Sequence, residues 1–526
     1  MIPTPQQQAI YDIVSGGRKL RPTETGNLAV DAVAGSGKTT TAVQAAKYAS
    51  KRYKRIGFTA FNRSIADELQ KKLQGSGEAS TLHALGRKLV NAKFSHLEVD
   101  SDGKKYREIA KREFPSFFES RGTRSFLKPH AASLFALINL VRNECIDISS
   151  ANEDAIRSVC NAADIQGIQL PSKEYTSEVI GAVFRCLEIG SDMGATASMD
   201  FLDMIWLPVK LDLATGVYDL LFCDESQDFN RLQQRLILQA SHGGNTVIVG
   251  DPYQSIMGWA GADSKSFKNL TRKLDAREMP LSVCWRCPVS HVRLAQTLVP
   301  HIQHSESAQN GFIGDTDPYS IPDKANPNDL IICRNNAPLL SVAYNFMKKR
   351  IPVAIKGKNI GDDLIGLVKQ LDPVDMYDLN RRLSRWHERE TKKLLDREAH
   401  ESAFDALNDK LSCVKELASE VSTPCELIDV CEKLFSDATS SERVQLSSIH
   451  RAKGLEADQV FLIRPELCCA RASNEEAYQQ EKNLLYVAIT RAKSHLWVTG
   501  GGLCSPFEDW VSEVASRQMP KPRFGR

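Results

Sequence analysis

Three things are scarce in this chain of 526 residues. Long hydrophobic runs are missing. The longest largely apolar stretch, Ala131 to Val141, falls short of the roughly 20 residues that cross a bilayer, so no membrane partner is expected. An excess of one charge is missing too, since 67 Lys and Arg stand against 65 Asp and Glu, for a net charge of +2. Any surface for an acidic ligand must therefore be local. A cysteine framework is also absent: the 13 cysteines are odd in number and scattered. That pattern fits a reducing cytosol better than a disulfide-stapled secreted domain. Cys284-Trp285-Arg286-Cys287 is a CxxC pair, but a structural metal needs a second pair, and Cys468-Cys469 is poorly spaced for it. Plain thiols are the better reading. Met1 to Gln6 shows no basic region or apolar core of a signal peptide, and a cytoplasmic or nucleoid-associated location is expected.

What is present reads as several α/β units. At roughly 100–200 residues per domain, the length implies three or four. Leu28 to Ala32 is a short apolar run leading into glycines, and Thr40 to Ala49 is helix-compatible. Arg55 to Ala60, Tyr218 to Cys223 and Thr246 to Gly250 read as further strands, with Ser64 to Leu73 as a helix. A second set follows: Asp329 to Arg334, Val444 to Ile449, Gln459 to Ile463 and His495 to Thr499. Strands alternating with helices imply parallel sheets with ligands at their carboxyl ends. The expected fold is α/β, with two parallel-sheet lobes, each interrupted by a mainly helical insertion. The first lobe takes residues 1–90 and 200–280, its insertion 91–199. The second takes 281–360 and 441–526, its insertion 361–440. The basic run Arg381-Arg382, Arg385, Arg389, Lys392-Lys393 and Arg397 reads as a solvated helix face rather than a DNA contact.

The chemistry lies in an ordered series of motifs. Ala34-Gly35-Ser36-Gly37-Lys38-Thr39-Thr40, between a strand and a helix, is a phosphate loop. Its backbone N–H groups converge on phosphate, Lys38 reaches the β and γ phosphates, and Thr39 can ligate Mg²⁺. Ala32 stands where the usual pattern has its first glycine. Asp224 and Glu225 end a strand, where one acid can hold Mg²⁺ and its neighbour can polarise water. Arg286 and Arg491 fall on the other lobe, so they can reach a transferred phosphoryl group only across a cleft. Phe61-Asn62, Thr81, His83 and Trp259 follow predicted strands and can stack on or hydrogen-bond to bases of a single strand.

In their order, these motifs resemble the UvrD/Rep branch of superfamily 1 helicases, over both lobes. The resemblance implies two RecA-like motor lobes and ATP-dependent, 3′-to-5′ movement on single-stranded DNA and its junctions with duplex. ATP and Mg²⁺ are the implied cofactors, and a protein loading partner is compatible with it. It makes Gln6 the reader of adenine, Trp285 a stacking partner and Glu456 the ribose contact. Gln254 would link γ-phosphate state to DNA, and Ser448 and His450 would touch the strand. Ala32 matches the family's own loop variant. Departures are Thr40 in place of arginine, Trp285 in place of tyrosine, and Met257, Gly258 and Ala260 around Trp259. The second insertion is about half the expected size, which weakens the expectation of duplex unwinding. Two alternatives stay open. One is a DNA-stimulated ATPase that remodels protein–DNA complexes with little unwinding. The other is a helicase subunit of a repair or defence complex.

Overall fold

A computed structural model describes residues 3–17, 26–118, 130–256, 263–355, 358–396, 401–435, 443–469 and 474–517, apart from residues 96, 150, 151, 167, 169, 195, 264, 502 and 504. In chain order the strands are β1 (Leu28–Ala32), β2 (Ile56–Ala60), β3 (Glu78–Thr81), β4 (Glu98–Val99), β5 (Ser198–Met199), β6 (Leu220–Cys223), β7 (Asn245–Gly250) and β8 (Arg277–Leu281). They continue with β9 (Val283–Cys284), β10 (Gln303–His304), β11 (Phe312–Asp315), β12 (Leu330–Cys333), β13 (Val353–Ile355), β14 (Val444–Ser448), β15 (Ala457–Leu462) and β16 (Ala492–Val498). One six-stranded sheet has the order β3-β2-β6-β7-β1-β8, the other β11-β16-β15-β12-β14-β13. Every pairing in both is parallel, as alternating strands and helices require. The two mixed α/β regions are two RecA-like lobes.

The central strands are apolar because both faces are covered. In β6, Leu220 and Phe222 enter one core with Val30, Phe58 and Leu69. Leu221 and Cys223 enter the opposite core, which runs on without a break into the first helical insertion. That insertion is held by a buried ionic cluster. Lys105 Nζ meets Asp203 at 2.6 Å and donates to the Gly190 carbonyl at 2.7 Å. Arg142 Nη1 donates to Asp200 and Asp203, each at 2.8 Å, and the guanidinium lies 4.3 Å from the Tyr106 ring centre. The Tyr106 hydroxyl donates to Asp203 at 2.8 Å.

The second insertion packs the helices Lys358–Leu371, Met376–Asp396, Glu401–Ala418 and Pro424–Leu434 onto its lobe. Leu379, Leu383 and Trp386 fill its core. On the other face Arg381 and Arg382 both pair with Asp378 at 2.6 Å, and Lys393 pairs with Glu390 at 2.8 Å. Asp378 and Glu390 thus offset part of the charge of the basic run; Arg397 lies outside the described residues. Among the described residues no helix is long and apolar enough to cross a membrane.

Candidate nucleotide cleft and nucleic-acid face

β1 delivers the chain into the loop 33–37, and the helix Lys38–Ala49 leaves it. Gly35 and Gly37 both have positive φ, at 67° and 80°, which only glycine adopts without strain. No side chain caps the helix at Gly37, so its first N–H groups are left for an anion. Ser36 Oγ is buried and without a hydrogen-bond partner, an orphan that a phosphate oxygen would satisfy. Lys38 Nζ currently donates to the Ala32 carbonyl at 3.2 Å and lies 4.0 Å from Asp251. The loop therefore fits a polyphosphate.

The metal test gives the same answer. Thr39 Oγ1 donates to Asp224 Oδ2 at 3.0 Å, which sets two hard oxygen donors side by side. Among the described residues no group of three or more His, Cys, Asp or Glu could hold a metal. One carboxylate, one hydroxyl and the substrate's own phosphates are what Mg²⁺ ordinarily uses. Burial, reinforced by the charge of Glu225, raises the Asp224 carboxyl. Burial also lifts Glu225, but Lys453 and Lys38 outweigh it and hold Glu225 below its ordinary value. Two adjacent acids are thus driven apart, and Glu225 is the more readily ionised of the two. Its backbone is left-handed, at φ 52°, a strained state that functional sites hold in place.

The second lobe closes over this floor. Arg286 pairs with Glu456 at 2.6 Å and donates to the Thr490 carbonyl at 3.2 Å. Arg491 is buried, and its guanidinium donates to the carbonyls of Val487 at 2.9 Å and Leu455 at 3.1 Å. Burial and then Arg286 pull its pKa down to about 10, so it stays charged at neutral pH. Gln254 donates to Asp251 at 2.7 Å, which joins it to the Lys38 end of the cleft. Gln6 donates to Ser282 Oγ at 2.9 Å and accepts the Ser282 N–H at 3.1 Å. An amide has two donors and two acceptor sites, so one of each remains for a base edge. Trp285 is 52% exposed, and its backbone N–H donates to the Gly35 carbonyl of the loop at 2.9 Å. Thr40, exposed on the loop's helix, completes the predicted nucleotide set. Glu456 also pairs with Lys493 at 2.8 Å.

Three cross-lobe residues escaped sequence reasoning. Lys453 pairs with Asp228, approaches Glu225 at 3.7 Å and donates to the Gln254 carbonyl at 2.8 Å. Asn483 donates to the Ser255 carbonyl at 2.9 Å. The Tyr486 hydroxyl accepts the Ala34 N–H of the phosphate loop at 2.9 Å and donates to Asp251 at 3.3 Å. Tyr486→Phe would leave a buried N–H unpaired and loosen Asp251. A fall in ATP turnover of roughly ten-fold, with the thermal midpoint moved little, is expected from steady-state kinetics beside a melting curve.

The nucleic-acid residues divide. Phe61, at the end of β2, is 60% exposed and so is not a core residue. The side-chain oxygens of Asn62 and Thr81 cap helices, accepting the N–H of Ile65 at 2.9 Å and of Ala84 at 3.1 Å. Their proposed strand contacts fall to the remaining polar atoms. His83 packs on Phe201, with ring centres 4.4 Å apart, and burial lowers its pKa, so the ring is a neutral surface. Phe201 is itself exposed and was not singled out from the sequence. Ser448 is buried at the end of β14. Burial, then Arg334, pushes His450 down to about 3. Trp259, with Met257, Gly258 and Ala260, lies outside the described residues.

A phosphate loop and paired acids on one RecA-like lobe, with arginines facing them from another, define a two-lobed nucleotide-binding motor fold. Two family models match the chain: the UvrD/REP helicase N-terminal domain over residues 17–275 and the UvrD-like helicase C-terminal domain over residues 373–500. The chain belongs to the UvrD/Rep family of superfamily 1 helicases. F-box DNA helicase protein 1 of Schizosaccharomyces pombe is 25% identical over 515 aligned residues, covering 91% of this chain and 56% of that protein. ATP-dependent DNA helicase PcrA of Staphylococcus epidermidis is 21% identical over 474, covering 66% of this chain and 65% of the relative. The chain thus spans less than two thirds of the length of either relative.

Proposed function

We propose that this chain is an ATP-driven motor that moves 3′-to-5′ on single-stranded DNA and opens duplex at junctions. The observation that carries the reading is convergence across the cleft. Lys38, Asp224, Glu225 and Gln254 on one lobe face Arg286, Lys453 and Arg491 on the other. Lys38 and the loop N–H groups bind the phosphates. Thr39 and Asp224 hold Mg²⁺, which when bound neutralises charge on the phosphates and polarises the transferred group. Glu225 orients the attacking water. Arg286 and Arg491 lie where closure would set them against the γ-phosphate, so hydrolysis depends on lobe position. Gln6, Trp285 and Glu456 would hold the nucleoside. Phe61, Asn62, Thr81, His83, Trp259, Ser448 and His450 would grip the strand. The lobe boundaries read from the sequence, 1–90 with 200–280 and 281–360 with 441–526, are part of the same proposal.

The test is ATP hydrolysis by the full chain alone, with single-stranded DNA, and with single-stranded RNA of the same sequence. Stimulation by DNA is the expected result, and no stimulation by either polymer would overturn the reading. Displacement from substrates with a 3′ or a 5′ tail then sets polarity. Phe61→Ala should raise the DNA concentration for half-maximal stimulation by about 5- to 150-fold, as loss of one stacked base predicts. A second reading, a remodelling ATPase with weak unwinding, is favoured by the small size of the second insertion, whose helices run from Lys358–Leu371 to Pro424–Leu434. Strong ATPase with negligible strand displacement would select it.

A further inference from the structure

We propose that Cys284 and Cys287 form a peroxide-sensitive thiol pair whose disulfide switches off the nucleotide cleft. The pair brackets Trp285, which contacts the phosphate loop, and Arg286, which packs beside it. Trp285 binds the Gly35 carbonyl and Arg286 binds Glu456 and the Thr490 carbonyl. The Cys287 N–H donates to Cys284 Sγ at 3.4 Å, which brings the second cysteine back against the first sulfur. The Cys287 thiol donates to the Thr490 carbonyl at 3.5 Å, the same oxygen that Arg286 uses. Cys284 Sγ lies only 2.9 Å from where a Cβ on Gly35 would stand, so the pair is packed against the phosphate loop. Both thiols are buried.

The electrostatics split the two thiols into an attacker and a resolver. Hydrogen bonding from Cys287, against the opposing pull of burial, and the nearby Arg286 together hold Cys284 well below the usual thiol range. Cys287 is pushed up by the same partnership and by burial. A thiolate beside a protonated partner is the arrangement that oxidises selectively. The Cys284 thiolate attacks one oxygen of hydrogen peroxide and breaks the O–O bond. With one proton this gives a sulfenic acid and one water. The Cys287 sulfur then attacks the sulfenic sulfur and loses its proton, a second water leaves, and the S–S bond forms. Two thiols are oxidised and one peroxide is reduced to two waters.

Closure to about 2 Å between sulfurs strips the thiol proton from the Thr490 carbonyl and drags the turn that carries Arg286. Oxidation should run fastest without nucleotide, because Cys284 Sγ packs against the phosphate loop that a nucleotide would cover. The inference rests on the cleft being an ATP site, and the experiment separates the two. The full chain is treated with hydrogen peroxide, with and without a non-hydrolysable ATP analogue. Cys284–Cys287 linkage is then read by peptide mass spectrometry beside DNA-stimulated ATPase. Linkage, a fall in turnover of between about 10- and 100-fold, recovery with a dithiol reductant and slowing by the analogue are expected. Cys287→Ser should keep basal turnover and trap Cys284 as a sulfenic acid that a 1,3-diketone labels. No linkage, or linkage with unchanged turnover, overturns the switch. Absence of ATPase before any oxidation overturns the cleft reading instead.

Discussion

Lys38→Ala is expected to lower DNA-stimulated ATP turnover by roughly 10²–10³-fold or more, the loss seen when one preorganised donor to developing charge is removed. The Lys38 ammonium ends in the hollow of its own loop, donating to Ala32 and facing Asp251. Those contacts are weak and local, so a phosphate can take them over without disturbing the fold. Removing the side chain leaves Asp251, already raised by burial, without its nearest cation. It also takes one of the charges that keep Glu225 ionised. The phosphate-binding and water-orienting halves of the site therefore fail together. Full-chain ATPase with saturating DNA measures the effect, and fluorescent nucleotide titration separates binding from turnover. Turnover within a few-fold of the unaltered chain would remove Lys38 from the site.

The second large effect is on folding. Arg142→Met is expected to destabilise the first insertion by about 3–5 kcal/mol, because it leaves Asp200 without its cation and Asp203 with Lys105 alone. The loss is not that of a surface ion pair. Arg142, Lys105 and Asp203 are all buried, and Arg142 also stacks on Tyr106. Burial already raises Asp200, so the variant should take up a proton there rather than keep an unpaired charge. Sign follows directly: with a carboxyl pKa raised in the folded state, the folded variant gains stability as pH falls. A larger chain unfolds in steps, so amide hydrogen exchange over Lys105–Glu113 and Ala131–Asn143 is the measurement. Unchanged protection there would show that the cluster is dispensable. DNA-independent nucleotide binding should survive, because the cluster lies in the insertion rather than in the loop.

What the sequence made legible follows from burial. β6 and β12 are apolar through their length, and β1, β2 and β7 nearly so, because helices cover both faces. β3, whose sequence is Glu-Ala-Ser-Thr, sits at a sheet edge and carries no such run. β8 was missed for a related reason: only Met279 and Leu281 point inward, and Pro280 interrupts the pattern at an edge that tolerates it. The loop, Asp224 and Glu225 were legible because local spacing alone makes their chemistry. Lys453, Asn483 and Tyr486 were not, since each acts on atoms some 200 to 450 residues away in sequence. No local pattern carries that information. The buried cluster was hidden in the same way: Lys105, Arg142 and Asp203 read singly as surface charges. Asn62 and Thr81 show the reverse, since a helix cap and a strand contact use the same residue types at the same kind of turn.

Gly35 has a role beyond the turn it permits. A Cβ there would stand 2.7 Å from the Arg286 Cβ and 2.9 Å from Cys284 Sγ. The fit of the two lobes at this point therefore depends on one missing carbon atom. A methyl group at that position would act as a wedge, propping apart surfaces that otherwise meet, while each lobe kept its own core. Nucleotide grip and arginine reach would then become separable, and the stroke of the motor would be shortened from its closed end.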